Sequence, residues 1–426
     1  MEGQPRVRHP GVSEFGLGRN WRIALYSHDT LGLGHIRRNV LIAQAIAHSP
    51  MRASILLIAG AREASAFRLA GGIDCLALPA LYKEANGQYQ TRNLDVPLEK
   101  LVQLRTATIT AAVEAFNPDV FLVDKVARGA LCELEPALDL LRDRGQTRCV
   151  LGLRDVLDEP AATRREWREK ATEEAIRDYY DSVWIYGDAR VFDQVQEYDL
   201  SAEVARKVRY TGYVARPNRT TFSDIDGAEL MPVVGESERL FLCLVGGGQD
   251  GPELAQAFAQ VDFPKSTRGV ILTGPFMPVD VLERLYRLAR NRPQLRVIKF
   301  VTDPDILLSL ADRVVAMGGY NTVCEVLSFA KRALIVPRVR PRQEQLIRAQ
   351  RLQDLGLVDM LHPDDLRPEA LADWLARDIA PPRSVPERVN VNGAENVPRM
   401  LEEVLGGRAA GRKAKHRERS VSHGVS

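Results

Sequence analysis

Short runs of aliphatic and β-branched residues alternate along this chain with stretches whose apolar residues recur at helical spacing. That alternation narrows the fold most, because it is the signature of parallel sheets connected by helices. In the first half the strand-like runs are Arg22–Ser27, Ser54–Ile58, Ile73–Leu78, Val120–Val123, Arg148–Leu153, Ser182–Tyr186 and Lys207–Tyr210. Leu98–Phe116 reads as a helix, stopped by Asn117-Pro118. A polar stretch, Arg216–Glu238, holds Pro217, Gly227, Pro232 and Gly235 and separates this series from a second. The second series runs through Leu240–Val245, Gly269–Leu272, Leu295–Lys299, Arg313–Ala316 and Ala333–Val336, with helical patterns such as Glu253–Gln260 and Val279–Ala289 between them. The expected class is α/β: two Rossmann-like parallel-sheet domains, 21–214 and 239–405, facing a cleft. A linker and domain entry at 215–238 joins them, and a flexible N-terminus (1–20) and a basic disordered tail (406–426) flank them. Sheets of this kind bind ligands outside the carboxyl ends of their strands, so the chemistry is expected in strand-to-helix loops.

Composition removes several competing classes. With 45% hydrophobic and 27% charged residues among 426, the chain has the make-up of a soluble globular protein with sequence enough for two or three domains. The five cysteines (75, 132, 149, 243 and 324) are scattered without a C-x-x-C pair, so neither a disulfide framework nor a zinc knuckle is written here, and a reducing cytosol fits. No apolar run reaches the roughly 18 residues of a membrane helix, and residues 1–20 lack the apolar core of a secretory signal, so a cytoplasmic location is expected. Six Lys or Arg against Glu418 give the tail a charge of +5, which leaves the rest of the chain near −3 within the total of +2. A mildly acidic body argues against specific nucleic-acid binding. The tail itself is either a solvated end or a contact for an anionic surface, which would seat the protein peripherally at the inner face of a membrane.

Five loops carry the residues of interest. The first, Ser27 to Arg38, follows a strand, contains Gly32 and Gly34, and opens a helix whose free N–H groups suit an anion. A dinucleotide-binding G-x-G-x-x-G register would place its third glycine at Arg37, and the second strand ends in Ala59-Gly60-Ala61 without an acidic ribose ligand, so hydride chemistry is disfavoured. His35 at the helix start is either a general base, since imidazole titrates near neutrality, or a residue that merely caps or packs. Asp124, just past a buried strand, would orient His35 if that strand neighbours the first. Otherwise it caps a helix or pairs with Lys125 or Arg128.

In the second half, Gly246-Gly247-Gly248-Gln249-Asp250-Gly251 follows a strand and opens a helix, as a phosphate cradle or a tight turn would. It lacks the Lys-Ser/Thr of a Walker loop. Gly318 and Gly319 lead through Asn321 and Thr322 into a helix carrying Glu325, a carboxylate placed either to accept from a vicinal diol or to sit on the surface. Glu344 and Gln345, at another helix start, offer an adjacent acceptor and donor suited to sugar hydroxyls. No spacing of Asp, Glu or His is read here as a metal-ligand set.

Taken together, these loops resemble the inverting glycosyltransferases of the two-Rossmann (GT-B) type, particularly family 28, and the broader set of predicted glycosyltransferases. The family's glycine-His loop is similar to Gly32-Leu33-Gly34-His35. Its domain-junction Thr-Gly-x-x-x-Arg is similar to Thr211-Gly212-Tyr213-Val214-Ala215-Arg216, and its Gly-Gly-Ser-Gln-Gly loop to Gly246–Asp250, with Gly248 in place of serine. The resemblance implies an N-terminal acceptor domain and a C-terminal donor domain for a nucleoside-diphosphate sugar, a UDP-sugar foremost, as co-substrate, with no cofactor and no metal. It implies His35 as base supported by Asp124, and Arg216 with the Gly246–Asp250 loop on the diphosphate. Backbone at Phe300 and Val301 would meet the nucleotide base, Glu325 the ribose, and Glu344 and Gln345 the donor sugar. Retaining enzymes of this fold carry Glu-x7-Glu near that helix, whereas Ala333 stands eight residues after Glu325, which favours inversion. The family's second glycine loop has no counterpart, since Val123–Gly129 holds one glycine, so the acceptor, lipid-linked or small, is left open. A sugar-nucleotide epimerase and a non-catalytic sugar-nucleotide-binding module are the competing readings.

Overall fold

The structure, a computed structural model, describes residues 19–29, 34–61, 64, 69–84, 88–215, 239–301, 304–378 and 385–406. Fifteen strands are described: β1 Trp21–Ser27, β2 Ala53–Ala59, β3 Ile73–Ala77, β4 Leu81–Lys83, β5 Tyr89–Thr91, β6 Val120–Asp124, β7 Arg148–Arg154, β8 Ser182–Tyr186, β9 Val208–Tyr210, β10 Arg239–Leu244, β11 Thr267–Leu272, β12 Leu295–Ile298, β13 Arg313–Met317, β14 Ala333–Val336 and β15 Asp359–Met360. They form a seven-stranded sheet in the order β3-β2-β1-β6-β7-β8-β9 and a six-stranded sheet in the order β12-β11-β10-β13-β14-β15. Every pairing within these two sheets is parallel, and the small β4-β5 pair is antiparallel. β6, β8, β13 and β14 are buried along their whole length, which is why they read as continuous apolar runs without alternation.

The twelve strands expected from the sequence all occur, with ends shifted by a residue or two, and Leu98–Phe116 is a helix over that span. Its stop is physical: Asn117 adopts left-handed φ 46° and returns its N–H to Val113 O before Pro118. The β4-β5 hairpin and β15 are additions, too short to leave a periodic trace.

Both sheets reverse direction at their centres. After β1 the chain builds β2 and β3 on one side, then crosses to build β6 onward on the other, and β10 is flanked in the same way by β11 and β13. The loops after β1 and β6, and those after β10 and β13, therefore part at a topological switch point, where such sheets open a crevice.

The junction between the domains is packed. One apolar cluster runs from Ile23 and Leu25 through Tyr213 to Val323 and Leu401. The helix at 393–406 lies within the span expected for the C-terminal domain, yet the segment from 385 onward is bonded to the N-terminal one. Asn390 N–H donates to Asp188 (2.7 Å), Tyr213 N–H to Asn390 O (2.8 Å), and Asn396 Nδ2 to Thr211 O (2.8 Å). The expected linker at 216–238 and the tail at 407–426 lie outside the described residues.

Candidate active site

Helix Gly34–Ala47 follows β1 and buries Ile36, Val40, Ala43 and Ile46 along one stripe. Asp29 caps it, accepting from Ile36 N–H at 2.9 Å and from the Ser27 hydroxyl. The cap fixes His35 at the helix entrance. The register pairs Tyr26 with Val123, so Asp124 emerges beside the loop that carries His35. His35 Nδ1 lies 2.5 Å from Asp124 Oδ2. Of the readings open for Asp124, the orienting one fits this geometry: Arg128 pairs with Glu135, and among the described residues the Lys125 side chain has no hydrogen bond or ion pair.

Asp124 is also clamped by Arg38, whose Nη2 reaches both carboxylate oxygens (2.6 and 2.7 Å) and whose Nε reaches Oδ1 at 3.2 Å. Burial pushes the Asp124 carboxyl up, but Arg38 and His35 outweigh it and hold the group ionised, below the usual carboxylate range. An anionic Asp124 accepts a hydrogen bond from Nδ1–H, which leaves Nε2 as the lone-pair nitrogen, with no partner among the described residues. Burial pulls the imidazole down to about 4 against the opposing pull of Asp124, so His35 is neutral at pH 7. His28 packs against it with ring centroids 4.6 Å apart, its own Nδ1 buried without a partner. Arg38 stacks between Tyr186 of the N-terminal sheet and Tyr320 of the C-terminal domain, at 5.2 and 5.3 Å.

Opposite stand the loops after β10 and β13. Gly246 and Gly248 adopt φ 63° and 97°, and a Cβ on Gly248 would lie 2.4 Å from Thr273 O. The glycine standing where the resembled loop has serine is thus demanded by this backbone. Gly274, which no motif flagged, completes the cradle: it has φ 76°, and a Cβ there would meet Gly246 O at 2.3 Å. Gly247 and Gln249 are exposed at the mouth, and helix Pro252–Ala259 begins directly after the loop. Its first turn and the left-handed glycines form a surface of main-chain donors suited to an anion.

After β13, buried Gly318 and half-buried Gly319 precede helix Tyr320–Ser328. Half-buried Asn321 and Thr322 begin it, and Asn321 Nδ2 donates to Gly34 O at 3.2 Å, so the two domains' loops touch directly. Glu325 is not a surface residue. It is buried and pairs with Arg37 of the first loop at 2.5 Å. Glu344 and Gln345 are buried at the start of helix Glu344–Asp354. Arg338 ties both to the glycine loop: its guanidinium bonds Glu344 (2.5 Å) and Asp250 (2.9 Å), and its N–H donates to Gln345 Oε1 (3.0 Å). Glu344 Oε2 is buried with no partner.

Phe300 is exposed at the end of β12, and half-buried Val301 packs on the core. Arg216 and Gly32 lie outside the described residues. Sequence reasoning gave no role to Arg38, Arg37, Arg338, Asp155 or Arg348, because each has a partner far away in the chain, which for Arg338 is Asp250. Among the described residues no group of His, Cys, Asp and Glu could hold a metal ion, and no helix is long and apolar enough to cross a membrane.

Two parallel-sheet domains whose glycine loops meet across a crevice define the GT-B fold. Residues 241–403 match the glycosyltransferase family 28 C-terminal domain, so this part of the chain is similar to that domain. A curated relative is the UDP-N-acetylglucosamine--N-acetylmuramyl-(pentapeptide) pyrophosphoryl-undecaprenol N-acetylglucosamine transferase of Haemophilus influenzae, 28% identical over 142 residues, or 32% of this chain. The match spans 39% of that relative's length. Among solved structures, Acinetobacter baumannii MurG aligns with TM-score 0.51 at 14% identity, over 89% of this chain and 95% of its own. The UDP-GlcNAc 2-epimerase of Neisseria meningitidis bound to UDP-GlcNAc aligns with TM-score 0.58 at 14% identity, over 91% and 99%. These structures share the fold.

Proposed function

We propose that this protein transfers a hexosyl group from a nucleoside-diphosphate sugar, a UDP-sugar foremost, to an acceptor hydroxyl, with inversion and without a metal. The observation that carries the reading is the His35–Asp124 pair at 2.5 Å, held on the crevice wall that faces the family 28-like domain. In this mechanism the acceptor hydroxyl gives its proton to His35 Nε2 as its oxygen attacks the anomeric carbon. Asp124 stabilises the imidazolium that forms, and Arg38 keeps Asp124 charged. The diphosphate leaves with the bonding electron pair. The Gly246–Asp250 amides and Arg216 meet its growing charge, each charged hydrogen bond contributing about 1.5–3 kcal/mol.

Glu325 takes the ribose diol, Glu344 and Gln345 the sugar hydroxyls, and backbone at Phe300 and Val301 the base. The names of the curated relatives favour UDP as carrier and a lipid-linked acceptor. A cytoplasmic protein held at the inner membrane face through its basic tail would meet such an acceptor. Epimerisation of the donor is the competing reaction, favoured by the structural likeness to the UDP-GlcNAc 2-epimerase. Incubation with UDP-sugars, with and without acceptor extract, separates the two. Transfer yields UDP only when acceptor is present, and an epimerised UDP-sugar formed from donor alone overturns the proposal. UDP binding with neither product leaves a binding module.

A further inference from the structure

Arg338 follows Pro337 at the end of β14 and reaches in three directions. Its Nη1 bonds Asp250 of the Gly246–Gly251 loop at 2.9 Å, its Nη2 bonds Glu344 at 2.5 Å, and its backbone N–H donates to Gln345 Oε1 at 3.0 Å. β13 lies between β14 and β10, so this side chain joins the loops of two strands that are not neighbours. Asp250 stands where the resembled loop ends in glycine, so the bridge belongs to this chain and not to the motif.

These bonds decide what Glu344 and Gln345 have left to offer. Glu344 gives one oxygen to Arg338, and the other, Oε2, is buried with no partner. Burial pushes this carboxyl up, but Arg154, Arg338 and Arg348 outweigh it and hold the group ionised. Gln345 gives its oxygen to the Arg338 N–H, so its amide nitrogen is the end left to donate. A buried acceptor beside a donor, each fixed at its other end, is a pattern that hydroxyls complete, and the unanswered carboxylate oxygen is costly until one does.

The bridge is poorly suited to a purely structural task. The Asp250 side chain is 47% exposed and that of Arg338 is 23% exposed, and ion pairs so open to water add little stability. Arg338 Nε is buried without a partner, so the pose leaves one donor unused. What the pose does secure is the orientation of both residues that the proposed function assigns to the donor sugar, and their tie to the loop assigned to the diphosphate.

We infer that Arg338 is a positioning residue for donor-sugar selection: it turns Glu344 and Gln345 toward the sugar hydroxyls and, through Asp250, fixes them relative to the diphosphate loop. The inference rests on the nucleotide-sugar reading of this site. Arg338 acts here through Glu344 and Gln345, its planar guanidinium spanning two carboxylates at once, which the single point charge of a lysine does less well. Loss of the bridge leaves the sugar readers in place but free to turn, so selection among sugars suffers while the nucleotide is still gripped.

The test is calorimetric titration of the intact protein with UDP, UDP-glucose, UDP-galactose and UDP-N-acetylglucosamine. The quantity read is the affinity for the tightest UDP-sugar divided by that for UDP, in which any effect on the diphosphate cancels. Arg338→Met should lower this ratio at least about tenfold, and Arg338→Lys, which keeps a charge for Glu344, should restore part of it. Asp250→Asn should lower it in the same direction, and adding Asp250→Asn to Arg338→Met should cost nothing further, since the link is already cut. A folded Arg338→Met with the wild-type ratio overturns the inference, and if UDP affinity falls alongside, the arginine is a diphosphate contact instead. Full additivity of the two substitutions, or a wild type that binds all three UDP-sugars equally, overturns it as well. Should Arg338→Met fail to fold, Asp250→Asn, at an exposed position, decides by the same ratio. A wild type that binds neither UDP nor any UDP-sugar overturns the donor reading itself, and the inference with it.

Discussion

Arg348 reaches across the domain junction to Asp155, with Nε 2.8 Å from one carboxylate oxygen and Nη2 2.6 Å from the other, both side chains withdrawn from solvent. The same guanidinium donates to Gly318 O at 2.9 Å, and Tyr213 Oη donates to the shared Asp155 at 3.0 Å. One ion pair thus sets the Gly318 loop relative to the N-terminal sheet.

Removing one partner should be far worse than removing both. Asp155→Ala leaves a buried, unpaired guanidinium and is expected to lower stability by about 3–5 kcal/mol in denaturant titration. The double variant Asp155→Ala with Arg348→Leu should recover a good part of that loss. Additive losses would show that the two residues do not act as a pair.

His35→Ala should lower kcat by about 10²–10⁴-fold and leave UDP affinity within a factor of a few. Asp124→Asn should also slow the reaction, and it should lower the melting temperature because Arg38 loses its carboxylate. A His35→Ala enzyme with wild-type turnover would remove His35 from the chemistry.

The acid side of the rate profile follows from the same dyad. A base must be unprotonated, and His35 is held near 4, below the ordinary value near 6.5, so kcat/KM should stay flat down to about pH 5 and fall only toward pH 4. The unfolded chain takes up this proton first, so stability declines as pH falls from about 6.5 toward 4. His35→Gln should flatten that part of the stability curve. An acid limb centred at 6.5 would contradict the buried setting.

Arg37 and the ribose compete for one carboxylate, since Glu325 is paired with Arg37 at 2.5 Å. Glu325→Ala should weaken UDP at least about tenfold. Arg37→Ala should leave the UDP Kd unchanged or lower it. A large loss of affinity in Arg37→Ala would instead make the arginine a ligand contact.

Gly248→Ala forces a Cβ to within 2.4 Å of a carbonyl oxygen at φ 97°. The conformation alone costs about 1–2 kcal/mol, and the clash adds to it. A lower melting temperature together with weaker UDP binding is expected, and calorimetry on the variant reads both.

Much of this was legible in the residues. Continuous apolar runs marked the buried strands, and the loops after them marked the crevice, because a parallel sheet presents its carboxyl ends to ligands. The His35–Asp124 contact depended on a single condition, that β6 lie beside β1. The rest depended on pairings with no local trace. Arg348 and Asp155 stand 193 positions apart, and nothing in their flanking residues marks either as buried or charged together. Arg38 sits on the buried side of an otherwise apolar stripe and reads as an amphipathic edge until its partner is placed. Gly274 belongs to no motif, because its role is set by a backbone 28 residues earlier, at Gly246.

The return of residues 385–406 to the first sheet has a practical bearing on dissection. A fragment ending near 215 lacks Asn390 and Asn396, which complete the bonding of Thr211 and Tyr213, and a fragment starting near 239 carries that segment without its partners Asp188, Thr211 and Tyr213. Neither half is a self-sufficient module. Because residues 385–406 bond back to the first lobe, the two lobes are tied together by the chain's far end as well as by its middle, and cutting the middle alone would not part them.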